Sequence, residues 1–236
     1  QSPDPALASL REVGWISLSR SLHQRLCALG LDSTYLQYAP DPKKFRPVRW
    51  GSRPLGYFWE RIPRDLDEKA VSELGRRLGG VKVKVRHLPD IRLRQGGEGS
   101  FWKTRQDYLR DLGKFQVYFA PRKYEGIGMT FLEAMAMGMC VIAENAPTAN
   151  EYILSGRNGI LYGGGADKLY ALPPRSVREL QRMGGEAKKT MHHAHQTWLR
   201  ERGQIPMVLR RTCKRFRRLS TIPSPDLLRA SLEFDS

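Results

Sequence analysis

The hydrophobic pattern changes period several times along the chain. Leu18, Leu22, Leu26 and Leu29 recur at helical spacing, with Gly30 as a stop. A short β-prone run over 33–38 follows, closed by Pro40-Asp41-Pro42. The stretch 39–53 carries Pro40, Pro42 and Pro47, with Pro54 just beyond, and reads as a linker between two packed units. From Leu55 onward strands and helices alternate. The apolar run 55–59 predicts a buried strand. Residues 66–78 predict a helix with Leu66, Ala70, Val71, Leu74 and Leu78 on one face and Gly79-Gly80 as its stop. Clean alternation over 81–85 predicts another strand. A short helix at 108–112, a strand at 115–119, a helix at 129–137 and a strand at 140–143 come next. A helical turn at 151–154 precedes a last apolar run at 159–162. This alternation predicts an α/β fold, a parallel sheet flanked by helices.

Beyond Pro173-Pro174 the pattern is helical and basic. One long helix spans 176–195, weakened in propensity by Gly184-Gly185, and Pro206 opens a second over 207–219. In the second, Leu209, Cys213 and Phe216 fall on one side. Arg210, Arg211, Lys214, Arg215, Arg217 and Arg218 fill the rest, which makes a basic amphipathic helix.

A chain of 236 residues fits one large domain or two small ones. It contains no run of about 18 apolar residues, which excludes a membrane-spanning helix. The start, Gln1-Ser2-Pro3-Asp4, lacks both an apolar signal core and a Met, and reads as processed or internal. Cys27, Cys140 and Cys213 are dispersed; they form neither metal-ligand spacing nor a disulfide framework and suit a reducing cytoplasm. The 40 Lys and Arg against 24 Asp and Glu leave a charge of +16, a field that attracts nucleic acid, anionic lipid or a phosphorylated small substrate. His192 and His195 share a helical face, but no acid or Cys joins them, so no metal site is expected. Met129, Met135, Met137 and Met139 read as core filler. Phe101-Trp102, in a glycine-rich loop, reads equally as a mobile lid or acceptor contact and as part of a disordered segment.

The stretch 121–133, P-R-K-Y-E-G-I-G-M-T-F-L-E, carries the chemistry. A buried strand leads through two glycines into a helix. In a parallel sheet, that junction sets free backbone N–H groups of Gly126, Ile127, Gly128, Met129 and Thr130, with the positive end of a helix dipole, at the strands' carboxyl edge. Such a site takes a phosphate. Glu125 stands before the loop, placed to meet hydroxyls near the phosphate, and Glu133 stands a turn into the helix, placed to accept from a ribose diol.

Glu125 to Gly138, E-G-I-G-M-T-F-L-E-A-M-A-M-G, resembles the E-x7-E signature of the retaining GT-B glycosyltransferases, specifically glycosyltransferase family 4. Val141-Ile142-Ala143, Asn150-Glu151-Tyr152-Ile153 and Asn158-Gly159-Ile160-Leu161 extend the likeness, and Ala39-Pro40-Asp41 to Phe45 is similar to the family's interdomain segment. The resemblance implies the C-terminal, Rossmann-like nucleotide-sugar-binding half of a GT-B enzyme over 47–175. Residues 1–46 are then an interdomain segment and remnant of the N-terminal domain, and 176–236 are basic C-terminal helices. It implies transfer of a sugar from a nucleotide-sugar donor, with retained configuration and without a metal or other cofactor, in glycan, polysaccharide or glycolipid synthesis. Glu125 is the implied catalytic residue, orienting the sugar. Gly126 to Thr130 and Glu133 are implied donor contacts. Where the family usually carries a cation pair after the first strand, Arg61 and Arg64 are the candidates to replace it, while Trp59 and Glu60 stand where Gly and Arg are usual, so that the donor is either gripped differently or bound weakly. Glu151 and His87 are secondary candidates: the first is weighed against a bracing role, the second against an ordinary loop histidine. The expected partners are the donor, a glycan or lipid-linked acceptor and the missing N-terminal domain or a partner chain. The expected location is cytoplasmic, with the basic helix favouring the inner leaflet of a membrane over nucleic acid. A non-catalytic nucleotide- or partner-binding module derived from such a domain is the alternative.

Overall fold

The computed structural model describes residues 10–11, 13–60, 66–87, 102, 104–122, 126–163 and 171–211. Arg61, Arg64 and Glu125 lie outside the described residues, as do Phe101 and the basic helix beyond Arg211.

Two sheets form. A small one pairs β1 (Trp15–Ser17) with β2 (Ser33–Tyr35) in parallel, crossed over by α1 (Arg20–Ala28). The larger one holds β3 (Leu55–Glu60), β4 (Lys82–His87), β5 (Val117–Phe119), β6 (Cys140–Glu144) and β7 (Ile160–Tyr162). Its order is β4-β3-β5-β6-β7 and every pairing is parallel. The predicted α/β class is therefore correct. β5 and β6 are buried at every position, as strands covered on both faces must be.

The crossovers are α2 (Glu68–Arg77), α3 (Arg105–Leu112), α4 (Met129–Ala136) and the short α5 (Ala149–Tyr152); α6 (Val177–Glu201) closes the described fold. Asp67 caps α2 by accepting from Ala70 N–H, Thr104 caps α3 by accepting from Asp107 N–H, and Ser176 with Glu179 forms a capping box on α6. Alternation along the strands divides the core in two. Tyr57, Tyr118, Val141 and Ala143 face α4 residues such as Leu132 and Met135. Phe58, Val117, Phe119, Cys140 and Ile142 face Val71 and Leu74 of α2. The long α6 serves both cores, giving Leu180 and Met183 to one and Ala187 and Met191 to the other.

Some expectations need correction, though the long helix expected over 176–195 forms as α6, which runs for 25 residues without a break at the glycine pair. There Gly184 is a packing requirement: a Cβ at this position would collide with the carbonyl of Gly138 at the end of α4. The proline-rich stretch, read as a linker between packed units, is itself packed: Ala39, Pro40, Pro42 and Phe45 are buried and Val48 N–H donates to the Met137 carbonyl at 2.9 Å. The leucine stripe of α1 is left largely outside; Leu22 and Leu29 are half exposed. Of the methionines, Met135, Met137 and Met139 are core, but Met129 is 43% exposed beside the loop. α3 starts at Arg105, three residues before the expected position, because Thr104 supplies the cap. The turn expected at 151–154 lies at Ala149–Tyr152.

Candidate nucleotide site

β3 leads to β4 on one side, while β5 returns to the other side of β3. That reversal opens a crevice beyond the carboxyl ends of β3 and β5, where open parallel sheets bind ligands. Here a cavity of about 510 Å³ lies between Trp59 of β3, Trp102, and the first turns of α3 and α4. Thr104, Arg105 and Tyr108 form one wall and Thr130 and Glu133 the other.

Glu133 is 3% exposed. Arg105 Nη2 donates to its Oε1 at 2.6 Å, and the Arg105 side chain remains 58% exposed. Burial pushes the Glu133 carboxyl above the ordinary carboxylate range, and the Arg105 charge and the Tyr108 hydroxyl oppose the shift. Tyr108 is likewise pushed up, chiefly by burial and then by the Glu133 charge. Three aromatic rings complete the enclosure. Trp102 sits edge-on to Trp59 at 6.4 Å and to Tyr108 at 4.9 Å between centroids, with Arg86 stacked 6.0 Å from the Trp102 ring. A buried acceptor, a cation and flat apolar walls suit a polar ring such as a ribose beside a stackable group.

The loop before α4 has the geometry its glycines require. Gly128 caps the helix in the left-handed region, φ 68°, and a Cβ there would collide with the Phe131 ring. Gly126 is exposed with open space around its Cα, Ile127 packs against the core, and Thr130 turns into the cavity. The loop is tied from behind: Thr148 Oγ1 donates to the Gly126 carbonyl at 3.0 Å. Thr148 is 2% exposed and holds φ 78°, a strained conformation for a β-branched residue.

Of the sequence-predicted residues described, Glu133, Thr130 and the Gly126–Met129 loop come together at one sheet edge. Two others stand apart. The Glu151 carboxylate does not face the cavity; it accepts from Ser19 Oγ, the Arg20 N–H and the Tyr35 hydroxyl, the bracing role rather than ligand contact. His87 ends β4 at the carboxyl edge, but its Nδ1 lies 2.8 Å from the Glu60 carboxylate and its Nε2 3.4 Å from Glu68, so it is engaged by neighbours. Of Phe101-Trp102, Phe101 lies outside the described residues and Trp102 is a half-buried wall of the cavity. Sequence reasoning missed Arg105, Tyr108 and Trp59. The available signal was the Thr104-x-x-Asp107 cap, which sets Arg105 in the first turn and hence at the carboxyl edge.

The comparisons agree with this fold. Residues 76–172 match the family model described as glycosyl transferases group 1, which supports a glycosyltransferase domain over that stretch. No curated protein matches the sequence. Among solved structures, sucrose-phosphate synthase from Thermosynechococcus elongatus is 16% identical with a TM-score of 0.62, covering 86% of this chain and 60% of its own. TarM, known from S. aureus, is 16% identical at a TM-score of 0.59, covering 83% of this chain and 44% of its own. HepE from Anabaena, solved with UDP and glucose, is 15% identical at a TM-score of 0.58, covering 92% and 66%. The chain thus spans roughly half to two thirds of the length of these proteins. Its parallel sheet and flanking helices match the domains of GT-B glycosyltransferases.

Proposed function

We propose that this chain is the donor-binding half of a retaining, family 4 type glycosyltransferase that moves a sugar from a nucleotide sugar to a glycan or lipid-linked acceptor. One observation carries the reading: Glu133, a buried carboxylate beside Arg105, faces an aromatic-walled cavity at the sheet's switch point, one turn into the helix that follows the glycine loop. HepE, solved with UDP and with UDP-glucose, supports a nucleotide sugar as the ligand class. In this reading Glu133 accepts from the ribose diol. The N–H groups from Gly126 to Thr130 and the α4 dipole meet the diphosphate, with Arg61 and Arg64 adding charge. Leaving-group charge is then stabilised by oriented donors and side-chain cations, with no resident metal or cofactor. Glu125 orients the sugar, as the resemblance implies. Residues 1–46 represent the end of the partner domain that completes the cleft. The basic helix expected over 207–219 would hold the enzyme at the anionic inner leaflet, facing the cytoplasm.

The test is titration calorimetry with uridine and guanosine diphosphates in chelator. Binding should saturate without divalent metal. Glu133→Ala should weaken it by about 1–3 kcal/mol, the cost of leaving hydroxyl partners unmet. No binding of either nucleotide at millimolar concentration would sink the donor-site assignment. The non-catalytic alternative draws on one observation. β3 ends in an acid, Glu60, held by His87 at the crevice, a position at which a diphosphate favours a cation. Binding of nucleotide with equal affinity for the free diphosphate and the nucleotide sugar, and without transfer by the reconstituted two-domain enzyme, would favour that alternative.

A further inference from the structure

α1 carries no acid in its first turn, and its N-cap residue, Ser19, makes no capping bond to the helix it begins. Four N–H groups at a helix start need acceptors, and the dipole there favours a negative charge. Both needs are met from a distant element. The Glu151 carboxylate of α5 sits on the α1 N-terminus, 131 residues away in sequence from Arg20. Arg20 N–H lies 2.8 Å from Oε1 and 2.9 Å from Oε2, Ser19 Oγ donates to Oε1 at 2.9 Å, and Ser21 N–H approaches at 3.4 Å. On the other oxygen, the Tyr35 hydroxyl of β2 donates at 2.9 Å. Both sides of the crossover, helix and strand, thus hang on one side chain. Gln37 Nε2, donating to the Glu151 carbonyl at 3.2 Å, and the Tyr152 hydroxyl, donating to the Tyr38 carbonyl at 2.7 Å, add a second line of contact from the same short helix.

The other end of α5 reaches the glycine loop. Thr148, its N-cap residue, is held at positive φ while its hydroxyl grips the Gly126 carbonyl. Only two residues, Ala149 and Asn150, therefore separate the contact that fixes the loop from the contact that fixes the β1–α1–β2 unit. A strained, buried turn has little freedom to yield between them. We propose that Glu151 is a positioning residue: it clasps the β1–α1–β2 unit to α5, so that docking of that unit and nucleotide binding at the Gly126–Thr130 loop are coupled. The coupling rests on the donor-site reading; the clasp itself does not.

Coupling of this kind is reciprocal: if docking tightens nucleotide binding, nucleotide tightens docking by the same factor. The experiment uses the full 236-residue chain with Glu151→Ala, Glu151→Gln and Gln37→Ala, read by hydrogen exchange and by titration with uridine diphosphate. Without nucleotide, Glu151→Ala should speed exchange of the α1 amides at least about tenfold and leave the β5 and β6 amides unchanged. Glu151→Gln keeps an acceptor but loses the charge, and should fall between. Gln37→Ala removes one bond of the second line of contact but leaves the carboxylate in place, and should speed α1 exchange less than Glu151→Ala does. The parent should slow α1 exchange on adding nucleotide, and Glu151→Ala should lose that response and bind about five- to tenfold more weakly. A merely structural contact would lower the melting temperature while leaving affinity and the nucleotide response intact. Unchanged α1 exchange in Glu151→Ala overturns the clasp whether or not nucleotide binds. Faster α1 exchange with parental affinity overturns the coupling. A parent chain that binds no nucleotide overturns the donor-site reading and leaves the clasp to stand or fall on its exchange arm.

Discussion

At the scale of single residues, the site turns on a buried carboxyl, Glu133, on which burial and Arg105 act in opposite directions. Burial raises its pKa and Arg105 lowers it. A folded carboxyl whose pKa is raised holds a proton that the unfolded chain has already lost. Its ionisation therefore costs stability as pH rises from the ordinary carboxylate range through the raised value. Arg105 reduces that cost at neutral pH. Arg105→Ala should thus destabilise the chain at pH 7 by about 1 kcal/mol, toward the low end for an ion pair because the Arg105 side chain is more than half exposed. The loss should vanish at a pH below the ordinary carboxylate range, where both forms are protonated. Urea midpoints at the two pH values check this, and an equal loss at both would show that Arg105 acts through packing. On the proposed donor-site reading, in which the nucleotide meets the carboxylate, binding should fail at higher pH in the variant than in the parent as the buffer is acidified. Glu133 was legible from the glycine-loop pattern, because its offset from the strand end is fixed along the chain. Arg105 was not. Its partner lies 28 residues away, and only the three-dimensional meeting of two helix starts brings them together.

At the scale of elements, strands and helices were legible wherever the period was unmixed. The continuous apolar runs of β5 and β6 and the stripe of Ala70, Val71 and Leu74 are local facts, and the fold keeps them. Errors fall where a local signal competes with packing. Gly184-Gly185 reads as a helix weakness by propensity, yet the two glycines occupy opposite environments within one unbroken helix. Gly184 lies against Gly138, with Trp50 Nε1 donating to the same Gly138 carbonyl at 3.3 Å, whereas a Cβ at Gly185 would meet nothing. The two substitutions should therefore differ in sign. Gly185→Ala should raise stability by about 0.5–1 kcal/mol through reduced backbone entropy. Gly184→Ala should lower it by about 1–3 kcal/mol, because the backbones of α6 and the α4 turn must separate. Thermal melts of the two variants side by side are sufficient, and destabilisation by both would mean that the register of α6 differs. Glu151 belongs to the same lesson. Its place in the likeness suggested a site residue weighed against a brace, and the decisive information is a contact 131 residues away that no periodicity contains.

For the whole molecule, the +16 charge is unevenly used. The cavity at the carboxyl edge balances Arg105 with Glu133. At the amino edge a larger concavity of about 1180 Å³ gathers Lys44, Arg46, Arg49, Arg110 and Lys114 around Phe45, Leu109 and Met137. At the far end of the described chain, residues 205–211 are helical, with Arg210 and Arg211 exposed. There Met207 and Leu209 are 52% and 54% exposed while Val208 is buried, so part of the apolar side remains uncovered among the described residues. A helix that offers apolar and cationic groups together suits an anionic lipid surface, where each cation contributes about 1 kcal/mol and the field decays within a Debye length. The proposal of a peripheral membrane location therefore predicts sedimentation with vesicles containing phosphatidylserine and not with neutral ones, weakening steeply between 50 and 300 mM salt, a range of roughly two- to threefold in screening length. Replacing Arg210 and Arg211 by Gln, with Leu209 by Ser, should remove that binding and leave nucleotide affinity unchanged. Replacing Lys44, Arg46 and Arg49 by Gln should leave it largely intact, because a recessed groove cannot approach a flat bilayer as closely as an exposed helix can. Loss with the groove variant alone would move the attraction to the amino edge, and equal sedimentation with neutral and anionic vesicles would refute the electrostatic membrane reading.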